Sequence, residues 1–203
     1  MTTLLDRPKV RKGEAFDDEP KAKLPERYEV VNGEIVEVEP MSAYAAEVAN
    51  ILNEELVIFG RRTKLGRSRV ELACTVPLPE DATRNRIPDL SFFTFDRWPA
   101  ERPVPFFGNP IDIVPDLAVE VVSPTDDWED VIEKAYEYLR GGVRLVWVIT
   151  PKHKQVYVYK SHDDVKILNA TNELDGGDVL PGFSVNVGSL FPPIAAEKFE
   201  ASR

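Results

Sequence analysis

Cysteine is almost absent from this chain. Cys74 is the only one in 203 residues, so no internal disulfide can form and a reducing compartment is the natural one. Histidine is nearly as scarce, with His153 and His162 alone. One cysteine and two histidines argue against a zinc site, which draws its ligands mainly from those types. No apolar run approaches bilayer-spanning length, and the first twenty residues hold no signal-peptide core. A soluble, cytoplasmic protein is the expectation. No glycine-rich phosphate loop follows a strand, and no nucleophile elbow is present. Excess positive charge is missing too. A net charge of −10 argues against a general nucleic-acid coat, though not against an enzyme with a local basic groove. The basic residues do cluster, at Arg61, Arg62, Lys64, Arg67 and Arg69, then at Arg84 and Arg86; the plain expectation is solvated loops beside strands.

Residues 1–23 are polar and without periodicity, which predicts a flexible tail; one domain is expected over 24–203. Tyr28 to Val31, Asn32-Gly33 and Glu34 to Val38 read as a hairpin, since Asn-Gly suits a type I′ turn. Ser42 is a candidate cap for a helix through about Phe59, ended by Gly60. Arg69 to Leu78 and Ile87 to Phe95 read as strands around a polar loop. Trp98 to Pro115 carries five prolines and reads as a surface loop. Leu117 to Val122, a helix entered through Ser123-Pro124-Thr125-Asp126 and closed by Gly141-Gly142, then Val143 to Thr150, form a strand–helix–strand unit with parallel strands. Gln155 to Lys160 reads as its hairpin continuation, and Val165 to Leu168 and Phe183 to Val187 as shorter strands, with Asp175-Gly176-Gly177-Asp178 as a turn. The predicted class is α/β (α+β), a mixed sheet with few helices.

Glu120 stands out because it interrupts an apolar run, Leu117 to Val122. Alternation puts Ala118, Glu120 and Val122 on one face, where a helix would bury them. A buried carboxylate shifts its pKa upward or finds a cation. On the following helix Lys134 sits at the flank of the Val131, Ile132, Ala135, Leu139 stripe, from which a long side chain can reach a cleft; pairing with Asp130 one turn earlier is the bland alternative. Asp89 opens a strand after Pro88, beside a loop with Arg84, Asn85 and Arg86, and is alternatively a turn former. Two carboxylates and a lysine suffice for metal-assisted phosphodiester hydrolysis. Hard oxygens suit Mg²⁺, which polarises the phosphoryl group, while lysine orients water or stabilises developing charge.

At these residues the chain resembles the Uma-two family, a bacterial branch of the PD-(D/E)XK restriction-endonuclease-like superfamily. The resemblance covers about residues 24–192. It rests on the hairpin with Tyr28-Glu29 and Asn32-Gly33-Glu34, on Pro88-Asp89, and on Pro115-Asp116-Leu117-Ala118-Val119-Glu120-Val121-Val122-Ser123-Pro124. Lys134 with Tyr138, Gly142-Val143, Trp147, Pro151 and Pro181-Gly182-Phe183 complete it. It implies a restriction-endonuclease-like mixed sheet flanked by helices, with Asp89 and Glu120 as ligands of Mg²⁺ or Mn²⁺ and Lys134 as the catalytic lysine. The usual lysine position is Val122 here, and the family tolerates its displacement to the helix. Asp116 is implied as structural or as a secondary ligand, and Glu47 as an additional acid. Thr150 replaces an aspartate frequent in the family, read as a turn former. DNA is the implied substrate. A homodimer and a protein partner are further expectations, and a catalytically silent nuclease-fold module that binds nucleic acid or protein is the rival.

Overall fold

The computed structural model describes residues 25–104 and 110–193; the tail expected at 1–23 and the Pro105 to Phe107 stretch lie outside them. Strands β1 (Tyr28–Val31) and β2 (Glu34–Glu37) form the expected hairpin. Asn32 and Gly33 both take positive φ, 53° and 78°, as a type I′ turn requires. Helix α1 (Ala43–Thr63) starts where expected, with Ser42 Oγ accepting from the Ala45 N–H at 3.3 Å. It runs past Gly60 to a left-handed Lys64, a correction to the predicted end. Gly60 is kept inside the helix by packing: a Cβ there would lie 2.8 Å from the Gly66 carbonyl and 3.2 Å from the Phe92 ring.

Of the two central strands expected, Arg69 to Leu78 is split in two, Ile87 to Phe95 is shortened to start at Leu90, and a short extra strand lies at the end of the polar loop between them. The ribbon consists of β3 (Gly66–Val70), β4 (Cys74–Thr75), β5 (Asn85–Arg86) and β6 (Leu90–Thr94). β3 pairs with β6 in one sheet and β4 with β5 in another. The ribbon turns between the sheets at Glu71, where φ is 48°, and the bend is pinned by the Glu71 N–H to Asp89 carbonyl bond at 3.1 Å. Asp89 therefore sits at the corner of two sheets.

Then come β7 (Leu117–Val121), α2 (Trp128–Arg140), β8 (Leu145–Thr150), β9 (Gln155–Tyr159), β10 (Val165–Asn169), β11 (Glu173–Gly176), β12 (Leu180–Asn186) and a 3₁₀ turn, Val187–Leu190. β7 and β8 are parallel, as predicted, and β9 returns antiparallel. Helix α2 starts later than the sequence suggested. Asp126 accepts from the Ser123 N–H, closing a turn, and Asp127 caps the helix through the Glu129 N–H. β11 had no prediction; its four residues are short and half polar, and its pairing with β12 is what orders it.

The six-stranded sheet has the order β10-β9-β8-β7-β6-β3, and the smaller one β2-β1-β5-β4. One face of the large sheet packs Leu117, Val119 and Trp147 against Val48, Leu52 and Leu56 of α1. The other packs Ala118, Val146 and Val148 against Val131, Ala135 and Tyr138 of α2. Cys74 is buried filler in the second core. This is the α+β class expected, with helices on both faces of a mixed sheet. No helix among the described residues is long and apolar enough to cross a membrane.

Candidate active site

Strand register brings the two leading acids together. β6 and β7 run antiparallel with Leu90 opposite Val119 and Ser91 opposite Ala118. Continuing that register by one residue sets Asp89 across from Glu120, on the same face of the sheet. Asp89 Oδ2 accepts from the Val121 N–H at 2.6 Å, which ties the bend of the ribbon to the end of β7. That face is covered by α2. Tyr138 donates its hydroxyl to Glu120 Oε1 at 2.6 Å, and Lys134 Nζ lies 4.0 Å from Glu120 Oε2. Among the described residues the other carboxylate within 4.0 Å of Lys134 is Glu29 of the hairpin, at 3.6 Å, and not Asp130.

The electrostatics follow from this packing. Burial, then the Glu120 charge, pushes the Asp89 carboxyl up to about 8. Burial likewise raises Glu120, against the pull of Lys134 and the Tyr138 hydrogen bond. The Glu120 carboxylate holds the Lys134 ammonium charged, above the ordinary lysine range. Burial lifts Tyr138 far above an ordinary phenol, so it serves as a donor throughout the neutral range. Two carboxylates that are desolvated and destabilise each other suit a divalent cation of the magnesium type, which one or two carboxylates can hold while it keeps several waters. Among the described residues there is no cluster of three or more His, Cys, Asp or Glu arranged to bind a metal; Asp89 and Glu120 are the two acids that the strand register sets side by side.

Both acids open onto a cleft of about 780 Å³ walled by the β1–β2 hairpin, Ser42 at the start of α1, Ser123 and the first turns of α2. Its lining holds ten carboxylates against three cations, Arg27, Arg86 and Lys134. The weaker candidates lie apart. Glu47 is exposed on α1 and does not line the cleft. Asp116 lies before β7, at the end opposite Glu120. Its Oδ2 accepts from the Thr94 N–H and hydroxyl at 2.8 Å, and its Oδ1 meets Arg97 and Arg144. Asp116 is thus taken up by Thr94, Arg97 and Arg144 and does not line the cleft.

Sequence reasoning missed a buried charge network beside the site. Arg86 bridges Glu29 and Glu137, and Arg84 also meets Glu137. Arg84 and Arg86 are thus buried ion-pair partners, a correction to solvated loop cations. Arg84 also pairs with Asp81 three residues before it, but Glu137 and Glu29, the partners that hold the network together, lie more than fifty residues away in sequence. Arg67 and Arg69 stack over Trp98 instead.

A mixed sheet with helices on both faces matches the restriction-endonuclease-like fold. The chain belongs to the Uma2 family, described as "Putative restriction endonuclease", whose model matches residues 14–188. Among solved structures it is similar to "a putative nuclease belonging to DUF820 from Anabaena variabilis ATCC 29413". The TM-score is 0.68 at 19% identity, over 81% of this chain and 89% of that one, a likeness of fold. No curated protein matches the chain.

Proposed function

We propose that the cleft is the active site of a Mg²⁺- or Mn²⁺-dependent DNA endonuclease, with Asp89 and Glu120 as the metal-binding acids and Lys134 as the catalytic lysine. The observation that carries this is the meeting of the buried Glu120 with the half-buried Asp89, aligned by the β6–β7 register, and with a helix-borne lysine at one cleft. Hydrolysis adds hydroxide from water to phosphorus, breaks one P–O bond and protonates the departing sugar oxygen. A bound divalent cation supplies Lewis-acid polarisation of the phosphoryl group and favours ionised water. Asp89 and Glu120 offer the hard oxygens that hold it, and their rigid strands keep those oxygens in register. Lys134 offers an ammonium that compensates charge developing on the phosphate or orients the water. A homodimer would set two such clefts against two strands, and a cytoplasmic location suits this activity.

One observation favours a second reading. Lys134 lies within 4.0 Å of both Glu29 and Glu120, so charge is compensated without any ligand, as in a catalytically silent module that binds nucleic acid or a protein partner. Calorimetric titration of Mn²⁺ and Mg²⁺ into wild type and Glu120→Gln, with nicking of supercoiled plasmid alongside, separates the two. Binding in wild type that Glu120→Gln abolishes, together with metal-dependent nicking, is the expected result. Absence of both in wild type would transfer the weight to the silent module.

A further inference from the structure

Lys134 needs something to hold it. Its four-carbon stem is flexible, its side chain is 28% exposed, and its ammonium comes no closer than 3.6 Å to either carboxylate beside it. Glu29 is the opposite case. It is 2% exposed and fixed by two further donors. The Ile87 N–H donates to Oε1 at 2.9 Å and Arg86 Nη1 donates to Oε2 at 2.6 Å. Arg86 also places its Nε and Nη2 on Glu137 of α2, so its guanidinium is shared between two carboxylates, and of those two it is Glu29 that reaches on to Lys134. Ile87 is two residues from Asp89, on the stretch that carries the ribbon from one sheet to the other. One carboxylate thus touches the hairpin's neighbour strand, the approach to Asp89 and the lysine of α2.

We propose that Glu29 is the positioning residue of this site: from the N-terminal hairpin it fixes the Lys134 ammonium toward Glu120 and the cleft, while anchoring the backbone that delivers Asp89. The proposal rests on the nuclease reading for its catalytic consequence, but not for its geometric one. A fixed anion beside it limits where the ammonium can go, which is how a supporting carboxylate orients a reacting side chain. Beyond walling the cleft, the hairpin becomes part of the machinery through this side chain.

The test uses the full chain with isotope-labelled lysine, and reads the order of the Lys134 side-chain ε position by NMR relaxation, assigned through Lys134→Gln. In wild type the ε position is rigid; in Glu29→Gln its order parameter falls to about half or lower. Where Glu29→Gln does not fold, Glu29→Gln combined with Arg86→Gln removes both charges of the buried pair and gives the same readout. Cleavage supplies the second arm. Single-turnover rate drops about 100-fold with KM within about threefold, as expected when a group acts in the transition state only. The double variant Glu29→Gln/Lys134→Gln is then no slower than Lys134→Gln alone, since Glu29 acts through the lysine. A Lys134 that stays rigid in Glu29→Gln, or losses of rate that multiply in the double variant, would overturn the proposal. Failure of the nuclease reading shows separately, as a wild type that cleaves nothing while the Lys134 order still reports on Glu29.

Discussion

Asp89 is held away from water next to a second acid, and that arrangement opposes folding. Its ordinary pKa of 3.8 is pushed up to about 8 by burial and then by Glu120. Between those values the folded protein keeps a proton that the unfolded chain releases. Stability therefore falls as pH rises from about 4 to about 8 and stays reduced above that. Asp89→Asn keeps an oxygen for the Val121 N–H and removes the charge. It should raise metal-free stability at pH 8 by on the order of 2 kcal/mol, after allowance for solvent screening, and flatten the pH dependence; urea denaturation at pH 5 and pH 8 checks both. A Tyr138→Phe change works in the other direction. It deletes the hydroxyl on Glu120 Oε1 and leaves a buried carboxylate short of a donor, at a cost of about 1–2 kcal/mol. The measurement is the denaturation midpoint with unchanged slope. At this scale the sequence was informative about Glu120, an acid within an apolar run, and about Lys134 on a helix flank. It was uninformative about Glu29, whose burial depends on Arg86 fifty-seven residues away.

Between elements, the bent ribbon and the α1–β3 turn carry the site. Gly66 lies where the helix end meets the sheet, and a Cβ there would fall 2.1 Å from the Phe93 carbonyl and 2.6 Å from the Phe92 ring. Backbone cannot yield as a side-chain tip can, so Gly66→Ala should cost about 3 kcal/mol, read as a lowered thermal midpoint. Glu137→Gln should cost about 3–5 kcal/mol, because Arg84 and Arg86 would both lose their shared buried carboxylate. Calorimetric unfolding of that variant is the check, with a near-wild-type midpoint the result that would contradict it. Element types were largely legible, because hairpin, helices and the parallel pair rest on turn chemistry, caps and local period. The division of the ribbon between two sheets was not. Glu71 adopts a left-handed conformation that no glycine announces, and the apolar pattern continues through the bend.

The whole molecule is acidic, and the cleft shares that character, with ten carboxylates around three cations. The same field that attracts divalent cations repels a phosphate backbone. DNA affinity should therefore depend on metal: in chelator, anisotropy of a labelled duplex should stay flat at physiological salt, and Ca²⁺ or Mn²⁺ should restore binding. Tight, steeply salt-dependent binding in chelator would instead indicate a basic surface outside the cleft.

By itself the sequence determined the element menu, the buried face of β7 and the candidates Asp89, Glu120 and Lys134. It did so because period, caps and an acid out of pattern are local signals. The tertiary structure decided which acids meet. Asp89 faces Glu120 through a strand register, whereas Asp116 is taken up by Arg97, Arg144 and Thr94 at the opposite end of β7 and Glu47 stays in solvent. It also decided that Arg84 and Arg86 are interior. Those outcomes depend on pairings between residues far apart in the chain, and a buried charge has no sequence signature until its partner is brought beside it.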